Sequence, residues 1–144
     1  GSFRVLFSLA TGATIALLCM RRRFEALLLA TSAISAATVV YVVKTAVGRV
    51  RPALWETEGY WGSSFPSGHT LVVAAFGSAA ALCISRIWPG ARKFGLWTAI
   101  SWICLVAFSR LVLGVHWPTD VLAAACIGAS LPLAMSVALE LRHA

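Results

Sequence analysis

Five long apolar stretches, each closed by charged residues or by Gly and Pro, leave this 144-residue chain few ways to fold. They run from Phe3 to Met20, Phe24 to about Val47, Thr70 to Ile87, Phe94 to Ser109 and Val121 to Leu141. Each is close to the roughly 20 residues that cross a hydrocarbon core as a helix. A soluble domain of this size needs far less apolar surface: 60% of the residues are hydrophobic, 12% are charged, and the mean hydropathy is +0.86. Backbone polar groups in hydrocarbon must be satisfied within their own segment. The expected fold is therefore all-α, a polytopic transmembrane helical bundle of about five spans, with residues 1–144 forming one membrane-embedded domain.

The breaks between the stretches set the topology. Arg21-Arg22-Arg23 cannot lie in hydrocarbon, so the first two helices meet in a tight turn there. Trp88-Pro89-Gly90-Ala91-Arg92-Lys93 joins turn formers to cations and reads as a second short loop. Alternating crossings place Arg21, Arg22, Arg23, Arg86, Arg92, Lys93 and Arg142 on one face and Arg4, Lys44, Arg49, Arg51 and Arg110 on the other. The first face is expected to be cytoplasmic. Cys19, Cys83, Cys104 and Cys126 each stand alone in apolar sequence without ligand-like spacing, so neither a disulfide nor a metal site is expected from them.

Three short polar strings interrupt this pattern, and all fall on the outer face: Lys44-x6-Arg51-Pro52, Pro66-Ser67-Gly68-His69, and Ser109-Arg110-x5-His116-x3-Asp120. Pro118 is placed to open a helix at its first turn, which brings Asp120 within reach of the imidazole at i−4. A carboxylate on Nδ1 would leave Nε2 free as a nucleophile. Taken alone, the pair better suits a helix-dipole carboxylate beside an interfacial histidine; Ser109-Arg110 at its spacing ahead of them shifts the reading to catalysis. Ser67 suits an N-cap, Gly68 lets the backbone approach a ligand, and the free N–H groups of a helix start bind anions. Lys44 and Arg51 would stand ~10 Å apart along a continuous helix. Gly48 can end that helix, and Pro52 pushes Arg51 toward an extended conformation, so the two cations can converge. Arg49 reads as a cation snorkelling at the membrane edge.

In order and spacing the three strings resemble the tripartite signature of the type-2 phosphatidic acid phosphatase superfamily. That superfamily includes bacterial undecaprenyl-diphosphate and phosphatidylglycerophosphate phosphatases, glucose-6-phosphatase and the vanadium haloperoxidases. The resemblance runs from about Lys44 to Asp120. It implies an acid phosphatase/vanadium haloperoxidase-like helical core that hydrolyses a lipid phosphate or diphosphate without a metal or other cofactor. By the same resemblance, His116 is the nucleophile that forms a phosphohistidine, and Asp120 orients it. His69 is the general acid and later the base, and Lys44, Arg51, Ser67, Gly68 and Arg110 bind the phosphate. The implied partners are a lipid phosphate and the bilayer, with no nucleic acid. The implied location is the inner membrane of a bacterium, with the site facing the periplasm.

Bacterial lipid phosphatases of this family usually have six spans, with the first string closing the third, whereas here it closes the second. Gly1-Ser2 has the look of a cloning remnant, so the expectation is a chain lacking a first span; the alternative is a natural five-span variant. Between Ala53 and Phe65, the residues Trp55, Glu56, Glu58, Tyr60, Trp61 and Phe65 suit interfacial anchoring, or else a lid that guides a headgroup. Two other functions fit the strings: a non-catalytic lipid-phosphate-binding or scaffolding protein, and a vanadate-dependent haloperoxidase. Intact His69, His116 and Asp120 weigh against the first, and the apolar composition against the second. The strings read phosphate rather than tail, so the lipid is left open.

Overall fold

The computed structural model describes residues 3–52, 54 and 62–142. The expectations placed on Trp55, Glu56, Glu58, Tyr60 and Trp61 lie outside them. Five α-helices make up the described chain: α1 (Phe3–Cys19), α2 (Arg23–Val47), α3 (Gly68–Ile87), α4 (Arg92–Val112) and α5 (Pro118–Leu141), with a single 3₁₀ turn at Pro89–Ala91 before α4. Four of these meet the length and hydropathy of a membrane span, and α1, at 17 residues, is a shorter apolar helix. The fold is thus the expected all-helical membrane bundle. The third, fourth and fifth helices begin earlier than their apolar runs, and α4 continues to Val112, which puts Ser109 and Arg110 inside its last turns.

Local chemistry explains the ends. After α1 the chain reverses with Arg21 in the left-handed region (φ 58°), while Arg22 N–H reaches the Leu17 carbonyl at 2.8 Å. This six-to-one bond is the Schellman pattern, here built on arginine because the turn faces water. Gly48 ends α2 at φ 64°, as its freedom from a Cβ allows. Gly114, at φ 62°, closes α4 in the same way, with Val115 N–H on the Arg110 carbonyl at 3.4 Å. Hydroxyls within the apolar helices bond back to their own backbone, as Thr14 does to Ala10 O (2.8 Å), Thr38 to Ile34 O (3.0 Å) and Thr45 to Tyr41 O (3.0 Å). Such bonds satisfy these hydroxyls within their own helix, whereas the buried Ser32 Oγ of α2 has no partner among the described residues.

Helix α3 is the axis of the bundle and packs against all four others. It buries Leu71, Val72, Val73, Ala74, Ala75 and Ala79. In lipid, helices associate by close packing of small residues rather than by hydrophobic exclusion. Gly128 of α5 shows this: a Cβ there would stand 2.4 Å from Leu71 O and 2.7 Å from Ala74 Cβ. That tight crossing brings the N-termini of α3 and α5 together, and Ser67 N–H reaches Asp120 O at 3.2 Å. By contrast, α4 turns Phe94, Trp97, Leu105 and Phe108 outward, as a lipid-facing helix should.

Candidate active site

All three polar strings lie at the same end of the bundle, where α2 and α4 finish and α3 and α5 begin. The segment after Gly48 has no regular secondary structure, and it turns both of its arginines the same way. Arg49 and Arg51 accordingly face the α4–α5 connection, while Val50 between them is 82% exposed. Arg51 Nη1 donates to Val115 O at 3.0 Å, and its Nη2 lies 3.4 Å from Ser63 O. Lys44, from the last turn of α2, donates its Nζ to the same Ser63 carbonyl. The two cations that a continuous helix would hold apart therefore meet on one acceptor.

His116 is buried beside them, with Arg51 Nη1 3.4 Å from its Nε2. A guanidinium can only donate, so the nitrogen that faces it carries the lone pair, and the proton sits on Nδ1. Burial is the main influence that holds the imidazole below its ordinary value of 6.5, at about 4, and the charges of Arg51 and then Lys44 push the same way. The Ser64 backbone and the Asp120 carboxylate oppose them. At neutral pH the ring is uncharged, the state in which Nε2 can attack an electrophile.

Asp120 departs from the expected geometry. Its Oδ2 lies 3.7 Å from His116 Nδ1, beyond a hydrogen bond. The carboxylate, with no solvent exposure, is instead bound by Ser64 Oγ and by Trp117 N–H at 2.9 Å on Oδ2, and by Arg49 Nη1 at 2.7 Å on Oδ1. Asp120 is the third residue of α5, and its reach back to Trp117 is the carboxylate half of a capping box, with Pro118 at the first helical position as the sequence suggests.

Arg49 corrects the sequence reading, since it pairs with a buried carboxylate instead of snorkelling. It also touches Thr119 Oγ1 at 2.8 Å and lies 5.7 Å over the Trp117 ring. Its main chain clasps the opposite wall, the N–H donating to Ser63 Oγ at 2.8 Å and the carbonyl accepting from Ser64 N–H at 2.7 Å. Ser63 and Ser64 were not anticipated at all. Their loop position carries no sequence mark, and neither does the pairing of Arg49 with a carboxylate 71 residues away.

Ser67 occupies the N-cap of α3 as expected, but its hydroxyl makes no cap bond and instead pairs with Thr70 Oγ1 at 3.0 Å. Gly68 is buried as the first residue of that helix. His69 and Arg110 are half-buried on another side of the site. With Ser109 they line the polar end of a groove of about 120 Å³, whose remaining wall is Val5, Leu6 and Leu9 of α1 and Val73, Trp102 and Val106 of α3 and α4. Arg110 Nε donates to Ser109 Oγ at 3.2 Å. The expected residues thus form two adjoining groups, Lys44–Arg51–His116–Asp120 and His69–Arg110, with Ser67 and Gly68 on the chain leading into His69.

A bundle that gathers these three strings at one end is the architecture of a membrane phosphatase superfamily, and residues 25–143 match the family model described as the PAP2 superfamily, to which this chain belongs. Phosphatidylglycerophosphatase B of Escherichia coli (strain K12) is 38% identical over 73 residues, which cover 51% of this chain and 27% of that protein. The undecaprenyl-diphosphatase of Sulfolobus acidocaldarius is 40% identical over 65 residues, covering 45% of this chain and 28% of the relative. The matched part is thus about a quarter of the length of these relatives. A crystal structure of a transmembrane PAP2-type phosphatidylglycerolphosphate phosphatase from Bacillus subtilis superimposes with a TM-score of 0.87 at 26% identity, covering 96% of this chain and 71% of that one. The chain is a multi-pass membrane protein of that fold.

Proposed function

We propose that this chain carries the catalytic core of a lipid phosphate or diphosphate phosphatase working through a phosphohistidine at the outer face of the membrane. One observation carries the reading: Lys44 and Arg51 converge on a single carbonyl beside the neutral, buried His116, with Arg51 3.4 Å from Nε2. A phosphate entering between Arg51 and Nε2 meets a fixed cation and a nucleophilic lone pair together. The Lys44 ammonium and the planar Arg51 guanidinium are both suited to its oxygens.

In the first step Nε2 forms a bond to phosphorus in line with the departing oxygen. The P–O bond to the lipid breaks, and His69 delivers the proton that oxygen needs. For a diphosphate the leaving group is the lipid monophosphate. His69, now neutral, takes a proton from water, the hydroxide oxygen attacks phosphorus, and the P–N bond breaks to release inorganic phosphate and restore Nε2. Arg110, beside His69 in the groove, adds positive charge where the phosphate oxygens crowd in the transition state. The apolar remainder of the groove suits the first segment of a lipid chain next to its phosphate.

The test is phosphate release by full-length protein in detergent from undecaprenyl diphosphate, phosphatidylglycerophosphate, phosphatidate and lipid A, together with trapping of an acid-labile, base-stable phosphoenzyme. Vanadate should inhibit, and chelators should leave the rate nearly unchanged. Saturable lipid binding without phosphate release would establish the non-catalytic alternative instead. For the membrane face, a cysteine in place of exposed Leu54 should react with an impermeant thiol reagent in spheroplasts, and one in place of exposed Gly90 should not, after Cys19, Cys83, Cys104 and Cys126 are changed to Ala. The opposite pattern would move the chemistry to the cytoplasmic leaflet.

A further inference from the structure

Arg49 is the cation at the site end for which the proposed reaction has no use. Its placement is nonetheless fixed from two sides, by its side chain and by its main chain. One nitrogen, Nη1, reaches both Asp120 Oδ1 (2.7 Å) and Thr119 Oγ1 (2.8 Å) at the start of α5. Its main chain binds Ser63 and Ser64 in the loop ahead of α3. That loop offers the Ser63 carbonyl to Lys44 and Arg51 and the Ser64 hydroxyl to Asp120. Arg49 therefore ties the wall that gathers the phosphate-binding cations to the wall that carries the nucleophile.

The carboxylate geometry shows what this tie controls. Arg49 occupies Oδ1, while Oδ2, held by Ser64 and Trp117, is the oxygen that faces His116 Nδ1. Asp120 is fully buried, and a buried carboxylate without a cation is costly, so some cation must balance it. If Lys44 or Arg51 did so, either would be drawn away from the phosphate position. If His116 did so, the ring would be protonated and Nε2 lost as a nucleophile. Arg49 balances the charge from the far oxygen and leaves the other three groups available.

We propose that Arg49 is a positioning residue for the phosphatase reaction, acting through Asp120: it pins and neutralises that carboxylate so that His116 stays an uncharged nucleophile and Lys44 and Arg51 stay turned to the phosphate. The inference rests on the phosphatase reading given above. The charged groups that bear on His116 are Lys44 from α2, Arg51 from the following segment and Asp120 from α5, and Arg49 alters the effect of the last.

The experiment compares wild type, Arg49→Gln, Arg49→Lys, Asp120→Asn and the double variant Arg49→Gln/Asp120→Asn in the full-length protein in detergent. It uses the lipid phosphate turned over best by wild type, vanadate as the probe of the anion pocket, and ¹⁵N signals of the His116 ring. Arg49→Gln should lower kcat about 10- to 100-fold, the scale of a ~1 Å misplacement of a reacting group. KM and the vanadate inhibition constant should stay within about threefold. Arg49→Lys should recover much of kcat, and the double variant should be no slower than Asp120→Asn, as expected when one residue acts through another. The His116 midpoint should rise in Arg49→Gln and return in Arg49→Lys. Loss of vanadate affinity in step with kcat would make Arg49 a phosphate ligand and overturn the proposal. So would a double variant whose losses multiply, or an unfolded Arg49→Gln that Arg49→Lys does not rescue in activity. The ring measurement needs no turnover: a wild type inactive on every lipid would sink the phosphatase reading, whereas an unmoved midpoint in Arg49→Gln would sink this inference.

Discussion

Two charge clusters, one at each end of the bundle, hold their cations in different ways. At the far end Arg86 of α3 meets two carboxylates, Glu25 of α2 at 3.8 Å and Glu140 of α5 at 3.0 Å, and stacks 4.0 Å over the Phe24 ring. At the site end Lys44, Arg49, Arg51 and Arg110 share one carboxylate among the described residues, Asp120. The first arrangement meets its cation with carboxylates and joins three helices. The second has a surplus of positive charge that the described residues do not neutralise, and it is held open by backbone carbonyls, Ser63 O and Val115 O, as acceptors. Carbonyl dipoles orient a cation without cancelling its charge. A cation met by carboxylates ties helices together, whereas cations held by carbonyls keep their charge.

If that contrast is right, variants at the two ends should fail differently, and the largest difference is at His116. His116→Ala should cut turnover about 10⁴-fold, the order seen when a nucleophile's activation is lost, and abolish phosphoenzyme trapping. The helical circular dichroism should be unchanged, because the residue lies in the connection after α4. Turnover near the wild-type rate would remove the site end from the mechanism altogether.

A smaller effect sharpens the same contrast through pH. Burial, Arg51 and Lys44 together depress His116 to about 4 from 6.5, so acidification should leave its ring neutral through pH 6 and protonate it only toward pH 4. Because the folded value lies below the unfolded one, the stability that the neutral ring confers is complete above ~6.5 and declines as pH falls toward 4. The measurement is the ¹⁵N shift of the His116 ring in detergent, assigned with His116→Gln. Vanadate, by bringing negative charge between the cations, should raise the midpoint. A midpoint near 6.5 in the empty protein would mean that the surplus of positive charge is not felt at the nucleophile.

Much of this arrangement was legible in the sequence, and the part that was not has a physical reason. Apolar runs closed by Arg21-Arg22-Arg23 and by Pro89-Gly90 give the helices, because hydrocarbon tolerates no other backbone. Gly48 and Pro118 announce where α2 stops and α5 starts through their own backbone limits. Arg49 gave no such sign, since a cation at a membrane edge is ordinary and its partner Asp120 is 71 residues away. Likewise, the competition for Asp120 between Arg49, Ser64 and Trp117 N–H depends on which loop atoms the α3–α5 crossing brings together. Spacing alone therefore suggested a His116–Asp120 bond that the packed site replaces with a 3.7 Å separation.

Between the two ends lies the groove beside His69 and Arg110, and filling it should separate tail recognition from chemistry. Its volume of about 120 Å³ is on the scale of the ~150 Å³ cavity that takes one benzene, so it seats a short segment of one chain. Val106→Trp, on the apolar side, should raise KM for a long-chain lipid phosphate about tenfold, in line with the loss of ~1.4 kcal/mol of binding. A short-chain, water-soluble phosphate ester should be hydrolysed by Val106→Trp at nearly the wild-type rate. Equal losses on both substrates would show that the substitution distorts the site and would remove the groove from lipid recognition.

The smallest effect should come from Arg86→Ala, the far-end counterpart of these changes. Arg86 is 42% exposed at its side chain, so most of its attraction to Glu140 is screened by solvent and worth little. Glu25, at 8% side-chain exposure, is different: without Arg86 its carboxylate is left buried with no cation among its described neighbours. Discounted for the exposure of Arg86, the loss should be about 1–2 kcal/mol, or a fall in Tm of roughly 2–6 °C in detergent. Adding Glu25→Gln, which removes the stranded charge, should restore part of that fall. Through all of this kcat/KM should stay within about twofold of wild type, because no group at the far end touches the phosphate. A large loss of turnover with a small loss of Tm would show that the ends are coupled along α3, and the division between a carboxylate-paired structural cluster and a carbonyl-held cationic one would fail.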